Sequence, residues 1–405
     1  MKVFFIQEAR YVEFNGELYS PRIEYNTYWG RYLEYFSSVT IIARVKKVTV
    51  IPDGYLKATG LNVNFYPIIP YEGALGFLKN IFKVKKQLKS ILNKKDSYIL
   101  RIPGLLGFLI YKELKKERID YTVEVVGDPY EVVNNSTFFY LLNKPVGLWS
   151  LNKMKKLVKN AFAAIYVTKY NLQKRYPSNN NAIIGVASNV IIPDKYLLTN
   201  IEARLSKIKT LPSRLELNSE NKVKIGVVGM LYTIKSPLEI VEVVSTLIND
   251  GLNIELNFAG DGPLLEEIIA LSEKLNIKDN VVCHGRISSK DLMFSFIDQM
   301  DLYIQFSKTE GLPRALIEAM SRGCPAISSN VGGINELLPK DMLVTSGDSV
   351  NLAIKISNLL KDNQRIKKAV LENLDVSKDY IESELKEKRS IFYGKVFKQK
   401  SQFLN

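Results

Sequence analysis

Cysteine and histidine are nearly absent from this sequence. Only two cysteines and one histidine occur in 405 residues. The chain therefore has too few of these side chains for a disulfide framework or for a zinc centre built from several histidines. Two isolated cysteines, Cys283 and Cys324, instead indicate buried thiols in a reducing compartment.

Long apolar runs are missing as well. The longest run, from Leu105 to Tyr111, is far too short to span a bilayer. The opening segment, Met1 to Ile6, is interrupted at once by polar residues and does not continue as a signal peptide. Hydrophobic residues make up 46% of the chain and charged residues 24%, as in an ordinary globular protein. These features predict a cytoplasmic protein, and its length suffices for two domains.

Acidic residues are scarce in only one half of the chain. Residues 1–200 contain 29 lysines and arginines against 15 acidic residues, whereas residues 201–405 contain 27 of each. The whole formal excess of +14 lies in the first half, which predicts that one domain faces an acidic partner. No RRM, zinc-finger or helix-turn-helix framework accompanies the basic residues, and we therefore expect no nucleic-acid partner.

Lysines and apolar residues recur with helical spacing between positions 79 and 95. This segment holds seven lysines among Ile81, Phe82, Val84, Leu88, Ile91 and Leu92. Two interpretations stay open. The segment is either an amphipathic helix whose basic face is solvated, or an interfacial helix on anionic lipid, where each basic residue adds about 1 kcal/mol.

The most informative stretch runs from Ser307 to Met320. It is typical of a strand end, a glycine turn and a helix start, with Glu310 before the helix and Glu318 more than one turn inside it. Pro313 suits the first helical position, Gly323 suits a left-handed helix end, and the free N–H groups at the helix start suit an anion. The two carboxylates can then contact different parts of one ligand. The alternative is an ordinary amphipathic helix with solvated glutamates, which leaves the clustered glycine, proline and Glu310 unexplained.

The strings EGLPRALIEAM (310–320) and GCPAISSNVGGINELL (323–338) resemble the donor-site signature of retaining glycosyltransferase family 4. The resemblance covers nearly the whole chain and is strongest over residues 223–345. In the first half, EVVGDPYEV and YVTKYNLQKRYP resemble bacterial surface-polysaccharide members of that family.

Both the pattern of the chain and the resemblance predict an α/β fold. Short apolar strands alternate with helical segments, which favours parallel, helix-covered sheets. The resemblance implies two Rossmann-like domains facing a cleft, the GT-B arrangement. We predict an acceptor-binding domain over residues 1–205, completed by a final helix in residues 380–405 that crosses back to it. Residues 220–379 are predicted to form the nucleotide-sugar-binding domain.

The resemblance assigns the donor site to the second of these domains. It implies that Glu318 accepts hydrogen bonds from ribose hydroxyls, that Glu310 is catalytic and holds the transferred sugar, and that Lys235 neutralises the donor diphosphate. The further donor-binding residues that it implies are Gly229, Arg286, Ile287, Gly311, Leu312, Pro313 and Arg314. Met230 stands where the family usually has an arginine, so one diphosphate cation is missing from its usual place. A plain surface role for Lys235 is the alternative.

Acceptor-side candidates follow strands of the first half. Arg101, Glu124 and Asp128 each lie at or near a strand end, where loops form the ligand crevice of an open α/β sheet. Many family members carry a histidine after a comparable strand, but this chain has none before His284. Asp128 is the nearest substitute for a catalytic role. The alternative for all three residues is that they cap loops.

These expectations combine into one predicted activity. The chain is expected to be a retaining hexosyltransferase that moves a sugar from a UDP- or GDP-sugar to a glycan or polyprenyl-linked acceptor. The expected product is a surface polysaccharide such as capsule, O-antigen or exopolysaccharide, made at the inner face of the cytoplasmic membrane. No Asp-x-Asp motif lies near the donor site, so neither a metal nor another cofactor is expected. A GT-B nucleotide-sugar epimerase and a non-catalytic binder of membranes or polyanions remain alternatives.

Overall fold

The chain folds into two compact α/β units. The computed structural model describes residues 1–21, 23–134 and 143–404. The first unit comprises residues 1–189 and 386–405, and the second comprises residues 190–385. None of the described helices is both long enough and apolar enough to cross a membrane.

The first unit contains nine strands and seven complete helices within the described ranges. Its strands are β1 (Lys2–Phe14), β2 (Glu17–Ser20), β3 (Ser38–Lys47), β4 (Leu56–Lys57), β5 (Val63–Ile68), β6 (Ser97–Ile102), β7 (Thr122–Val125), β8 (Ala163–Tyr166) and β9 (Ile183–Val186). Its helices are α1 (Tyr25–Tyr28), α2 (Gly30–Leu33), α3 (Gly73–Ser90), α4 (Leu105–Glu117), α5 (Pro129–Asn134), α6 (Asn143–Lys159) and α7 (Asn171–Arg175).

The second unit contains six strands and most of the remaining helices. Its strands are β10 (Val223–Val228), β11 (Ile254–Ala259), β12 (Val281–Cys283), β13 (Leu302–Gln305), β14 (Ala326–Ser329) and β15 (Leu343–Val344). The helices from residue 190 onward are α8 (Ile201–Lys209), α9 (Leu211–Arg214), α10 (Pro237–Asn249), α11 (Leu265–Lys274), α12 (Lys290–Gln299), α13 (Arg314–Ser321), α14 (Ser349–Lys361), α15 (Asn363–Ser377) and α16 (Glu382–Leu404).

A parallel sheet forms the centre of the first unit. Its parallel strands lie in the order β5, β3, β1, β6, β7, β8, β9, and the antiparallel strands β2 and β4 extend it beside the end of β1. Helix α16 begins in the second unit, but its residues from 386 onward belong to the first. Phe392 of α16 packs on β9, where a Cβ atom on Gly185 would lie 2.6 Å from the phenyl ring.

The sheet of the second unit is wholly parallel. Its strand order is β12, β11, β10, β13, β14, β15, so the direction in which successive strands are added reverses between β10 and β13. In sheets of this kind, ligands bind at the carboxyl ends of the strands beside such a reversal. The strands are almost continuously buried, as expected for a sheet covered on both faces.

A buried ion pair fixes the start of β13 against β10. The Asp301 side chain is 1% exposed and lies 2.9 and 2.6 Å from the two terminal nitrogens of Arg214. The same carboxylate accepts the backbone N–H of Lys224 on β10 at 2.8 Å. This bidentate geometry is the strong form of an ion pair. It therefore positions the strand that leads into the stretch containing Glu310.

Residues 190–205 lie with the second unit, although the predicted boundary stood at residue 205. Ile192 and Tyr196 belong to the hydrophobic core of the second unit. The backbone of Ile192 also exchanges hydrogen bonds with Tyr380 and Glu382 at 2.9 Å each. A linker-like composition after Pro193 does not reveal these pairings, because their partners lie about 190 residues further along the chain.

Candidate functional site

Two loops meet where the strand order of the second unit reverses. Lys235 ends a short helical turn after β10, and Glu310 lies in the loop after β13. Their side chains form an ion pair. The backbone N–H of Lys308 also donates to the Ile234 carbonyl at 2.8 Å. The pairing of β10 with β13 therefore brings together two residues that are 75 positions apart.

Three donors converge on one oxygen of Glu310. Besides the Lys235 ammonium, the Ser307 hydroxyl and the Gln305 amide nitrogen each donate to Oε1 at 2.7 Å. The Tyr303 hydroxyl donates to the Gln305 amide oxygen at 2.8 Å, which orients the amide nitrogen toward Glu310. The Glu310 side chain is 11% exposed. Such a hydrogen-bonded network holds the carboxylate in one position. All three bonds end on Oε1, and Oε2 takes part in none of them.

The two glycines after β14 hold the Glu310 loop from the other side. Gly332 has φ +55°, and a Cβ atom on it would lie 1.8 Å from the Glu310 carbonyl oxygen. The N–H of Gly333 donates to the Gly311 carbonyl at 2.8 Å. The Val-Gly-Gly string that the sequence resemblance singled out thus supports the Glu310 loop through its backbone, since only glycine permits so close an approach.

Helix α13 carries the second carboxylate. It runs from Arg314 to Ser321, with Pro313 as the residue before it, and Gly323 beyond its end has φ +61°. The predicted helix and its left-handed glycine are confirmed, although the helix begins one residue after Pro313. The reason is that Pro313 has an extended backbone, with a ψ of 115°, so Arg314 is the first helical residue.

Glu318 is a half-buried carboxylate. Burial raises its pKa, and the charges of Arg314 and Lys290 oppose that rise only in part. Within the described ranges, no N–H or O–H group donates a hydrogen bond to this carboxylate. Burial raises the pKa of Tyr303, and the charges of Glu310 and Glu318 both add to that rise. A partly buried carboxylate whose pKa is raised by burial is a candidate for a functional site.

The other predicted donor-binding residues follow neighbouring strands. Gly229 follows β10 and packs on the loop after β11, where a Cβ atom on Gly260 would lie 1.8 Å from the Gly229 carbonyl oxygen. Met230 is 57% exposed. Arg286 and Ile287 follow β12, and Gly311, Leu312, Pro313 and Arg314 join the Glu310 loop to α13. The structure thus places all of them after carboxyl ends of strands in one sheet, and their contacts with a ligand stay predictions.

His284 has a structural environment. Its Nε2 atom is 2.8 Å from the Asn257 side-chain oxygen, and its ring packs edge-on against Phe296 with 5.2 Å between the centroids. Burial lowers its pKa. Asn257 and Phe296 therefore hold the imidazole in a position after β12.

In the first unit, Arg101 and Glu124 lie side by side on β6 and β7. They are register partners, and the Arg101 guanidinium is 2.9 Å from Glu124 Oε2. The other oxygen of Glu124 accepts the hydroxyls of Tyr32 and Tyr393, each at 2.6 Å. Burial by itself would raise the pKa of Glu124, but Arg101, Arg31 and these hydroxyls lower it below its usual value. Both carboxylate oxygens are thus bound by the protein.

Asp128 is held by three neighbours. Its Oδ1 atom accepts the backbone N–H of Tyr130 at 2.8 Å and the hydroxyl of Tyr176 at 2.5 Å. Its Oδ2 atom lies 2.5 Å from the Arg175 Nε atom. Because Pro129 begins α5, this geometry corresponds to the loop-capping alternative. The catalytic role of Asp128 stays a prediction.

Several residues of these networks were not predicted from the sequence. Gln305 and Ser307 alternate with the apolar residues Ile304 and Phe306 at the end of β13, and this alternation of polar and apolar residues is the signal that could have marked them. Tyr32 and Tyr393 gave no such signal, because they lie 92 and 269 positions from Glu124. Their role follows only from the folded first unit.

Comparison with known proteins agrees with this geometry. A family model described as "Glycosyl transferases group 1" matches residues 211–373. Protein CapJ of Staphylococcus aureus is 32% identical over 378 residues, which is 92% of this chain and 90% of CapJ. Among solved structures, sucrose-phosphate synthase from Thermosynechococcus elongatus is similar with a TM-score of 0.69, at 15% identity, over 98% of this chain and 99% of that one.

A second solved structure is similar over the whole chain. Anabaena HepE, solved in complex with UDP, has a TM-score of 0.59 and 15% identity over 100% of this chain and 99% of that one. At such identities the likeness concerns the fold. The predicted α/β class with two Rossmann-like domains of GT-B type is confirmed.

Proposed function

The chain belongs to the group 1 glycosyltransferases, and on that premise we propose that it is a retaining, metal-independent hexosyltransferase. Its donor is a nucleotide-sugar, and its acceptor is a glycan or a polyprenyl-linked glycan of a surface polysaccharide. The observation that carries the proposal is the Lys235–Glu310 pair at the strand-order reversal, followed on α13 by the Glu318 carboxylate, to which no described group donates a hydrogen bond.

Lys235 and the start of α13 stabilise the leaving diphosphate in this proposal. A lysine ammonium has three N–H donors, so Lys235 can bond a phosphate oxygen while it stays paired with Glu310. The free backbone N–H groups at the α13 start add positive potential. Both are in place before the reaction, and such fixed donors stabilise charge that develops in the transition state.

The two carboxylates divide the rest of the donor between them. Glu318 accepts hydrogen bonds from the ribose hydroxyls, which supply the donors that its carboxylate lacks. Glu310 receives three protein donors on Oε1 and uses Oε2 for the hydroxyls of the transferred sugar. The sugar is thereby fixed relative to the diphosphate, and positioning of this kind contributes strongly to rate.

We propose that a same-face substitution retains the configuration of the anomeric carbon. A Glu310 carboxylate whose charge is shared with Lys235, Ser307 and Gln305 is a weak nucleophile. The anomeric carbon–phosphate oxygen bond breaks, and the acceptor hydroxyl oxygen bonds to that carbon on the same face. The hydroxyl proton passes to the departing phosphate. In retaining hydrolases two carboxyl groups lie about 5–5.5 Å apart, and one of them is the nucleophile. The same-face route needs no such nucleophile.

We expect the transfer reaction to need no metal ion, because protein groups already supply positive charge to the diphosphate. Lys235 and the α13 start supply the positive charge that a metal supplies to a diphosphate elsewhere. Among the described residues, no three histidine, cysteine or acidic side chains are grouped as a metal site requires. Turnover is therefore expected to persist in the presence of a chelator.

Proteins similar to this chain suggest which donor and which acceptor to test first. HepE was solved with UDP, which makes a UDP-sugar the first donor to test, with GDP-sugars second. The similarity to CapJ extends through the first unit as well as the second, and the first unit carries the strings that resemble surface-polysaccharide enzymes. A polyprenyl-linked acceptor places the enzyme in the cytoplasm at the inner membrane face.

The transfer assay tests this proposal. The chain is incubated with UDP- and GDP-sugars, with and without a glycan acceptor, and nucleotide release is followed together with product anomeric configuration by NMR. We expect acceptor-dependent release, retained configuration, insensitivity to EDTA, and a large loss in Lys235→Met. Lys308→Met is the control, because Lys308 pairs with Glu239 at 3.2 Å outside the Glu310 network.

Each other outcome points to a named alternative. Isomerised nucleotide-sugar without nucleotide release would indicate an epimerase and contradict transfer. No detectable nucleotide binding, together with persistent vesicle binding, would indicate a non-catalytic membrane or polyanion binder.

Helix α3 supports a membrane-facing first unit. Leu75, Leu78 and Phe82 lie on one helical face and are 66%, 60% and 85% exposed. Lys79 and Lys83 adjoin them and are also exposed. Exposed apolar side chains bordered by lysines are typical of a helix that rests on anionic lipid. We therefore propose that α3 holds the enzyme at the membrane surface.

Changing Lys79, Lys83 and Lys86 to glutamine is expected to weaken binding to anionic vesicles about a hundredfold, since each lysine adds about 1 kcal/mol. Sedimentation with phosphatidylglycerol-containing and pure phosphatidylcholine vesicles measures the effect. A matched variant changes three exposed lysines of the second unit, Lys209, Lys274 and Lys361, to glutamine. Equal binding by the two triple variants would contradict the role of α3.

A further inference from the structure

Three arginines of the first unit interact electrostatically with the carboxylate of Glu124. Arg101 pairs directly with Glu124, and the Glu124 charge also acts on Arg31 and Arg389. Arg31 in turn acts on Arg389. Three positive charges therefore share one negative charge. Counted over these four described residues, the cluster carries a surplus of two positive charges in a largely buried setting, where such a surplus is unfavourable.

Most N–H groups of these arginines have no acceptor among the described residues. A guanidinium has five N–H donors. Across the described ranges, Arg101 gives one hydrogen bond to Glu124, Arg31 gives one to the Tyr28 carbonyl at 2.9 Å, and Arg389 gives one to the Ser188 carbonyl. Arg101 keeps 21% of its side chain exposed, so the cluster is open to solvent on one side.

An unpartnered hydroxyl lies beside the arginines. The Tyr28 hydroxyl is buried and has no hydrogen-bond partner in the described part of the chain. The Arg31 guanidinium stacks on the Tyr28 ring at 4.1 Å from its centroid, and Tyr28 also acts electrostatically on Arg101. Buried hydroxyls in folded proteins almost always have partners. The missing acceptor at Tyr28 and the unused arginine donors lie in the same place.

The titration behaviour of Arg389 agrees with an incomplete site. Burial and the neighbouring Arg31 charge together lower its pKa to about 10, despite the opposing effect of Glu124. An arginine is normally protonated far above this value. Burial opposes the charges of Arg31 and Arg101 as well, but neighbouring tyrosines and Glu124 outweigh it and raise the pKa of both. The crowding of positive charge therefore falls on Arg389.

We propose that Arg31, Arg101, Arg389 and the Tyr28 hydroxyl form a phosphoryl-binding site in the first unit. A phosphoryl group carries close to two negative charges near neutral pH and three acceptor oxygens, which matches the surplus charge and the unused donors. A carboxylate would neutralise only half of that surplus. Arginine forks are also suited to phosphate geometry.

The assignment of this phosphoryl group to the acceptor rests on the proposed glycosyltransferase function. The group belongs either to a water-soluble phosphorylated acceptor or to the phosphate of a polyprenyl-linked one. The two sources share one recognition chemistry and differ in whether a membrane is required.

Urea unfolding monitored by tryptophan fluorescence tests the site directly. Both tryptophans, Trp29 and Trp149, lie in the first unit, so the signal reports on that unit. Inorganic phosphate at a pH above 7 is compared with chloride at equal ionic strength, since a ligand that binds the folded unit shifts its unfolding midpoint. We expect phosphate to stabilise the wild-type unit, and the concentration dependence gives its Kd.

Two variants locate the phosphate. Arg31→Gln is expected to raise the phosphate Kd about tenfold or more, as for a lost hydrogen bond to a charged group. Tyr28→Phe is the sharper variant, because it removes a hydroxyl that no protein group bonds. Without phosphate, this variant should unfold at the same urea midpoint as the wild type or at a higher one. Its affinity for phosphate should be lower. Arg10→Gln, an exposed arginine on β1, is the matched control and should leave the Kd unchanged.

Unchanged phosphate binding in both Arg31→Gln and Tyr28→Phe would overturn the site. So would a phosphate response that disappears in Lys235→Met, because the anion would then belong to the second unit. UDP binding by the same samples is measured in parallel. Failure of phosphate with intact UDP binding refutes this site alone, whereas loss of UDP binding with an intact phosphate response refutes the proposed donor site.

Vesicles identify the source of the phosphoryl group. The wild type and Tyr28→Phe are compared on phosphatidylcholine vesicles with and without polyprenyl phosphate, and glycerol phosphate serves as the soluble monoester. A Tyr28-dependent response to glycerol phosphate indicates a soluble acceptor, and one confined to polyprenyl phosphate vesicles indicates a lipid-linked acceptor. Absence of any Tyr28-dependent response in both arms would refute the site.

Discussion

Glu310→Gln is expected to lower kcat of sugar transfer about 100- to 1,000-fold, the range seen when one preorganised polar group is removed from an active site. The amide keeps the shape of the side chain and can still accept from Ser307 and Gln305. It lacks the negative charge that holds Lys235 and that, in the proposed site, accepts hydroxyls of the transferred sugar. The loss therefore falls on the transition state.

Steady-state kinetics with a UDP-sugar and acceptor measure this effect, together with the thermal midpoint and UDP affinity. We expect kcat to fall while UDP affinity changes little, because the proposed site assigns the sugar to Glu310 and the nucleotide to Lys235 and Glu318. Glu239→Gln is the matched control, since Glu239 pairs with Lys308 in a partly exposed ion pair. Near-normal kcat in Glu310→Gln, or an equal loss in Glu239→Gln, would contradict the role of Glu310.

The local structure around Glu310 was largely predictable from the sequence. Proline before α13, the positive φ of Gly323 and the apolar runs of β13 and β14 follow from short-range backbone preferences. The direct Lys235–Glu310 pair was not predictable in this way. It depends on β10 and β13 being neighbours in the sheet, which is a property of strand order, not of either segment.

The first unit was harder to interpret from the sequence. Arg101 and Glu124 were predicted as crevice-lining residues because they lie near strand ends. In the structure they are register partners on one sheet face, where Tyr393 of α16 bonds Glu124. Strand periodicity indicates that alternate residues share a face. It does not indicate that a helix 269 positions later supplies a tyrosine to that face.

The consequence for Glu124 is a large expected effect on stability. Glu124→Gln should lower the free energy of unfolding of the first unit by about 3–5 kcal/mol, the range for removing one partner of a buried ion pair. Arg101 loses its direct counter-charge, and Arg31 and Arg389 lose the charge that opposes their mutual repulsion. Glu34→Gln is the control, because Glu34 forms an exposed pair with Lys386 at 3.3 Å, and such pairs contribute only about 0–1 kcal/mol.

The pH dependence separates this charge effect from a packing effect. The folded-state pKa of Glu124 lies below its unfolded value, so its contribution is fully present above the unfolded pKa of about 4.3. That contribution is lost as the pH falls from there through the lower folded pKa. The difference between wild type and Glu124→Gln should therefore be largest near neutrality and shrink in acid. Tryptophan fluorescence in urea measures it in the first unit, while UDP affinity reports on the second. A difference that stays constant into acid would show that packing, and not the buried charge, connects β7 to Tyr32 and Tyr393.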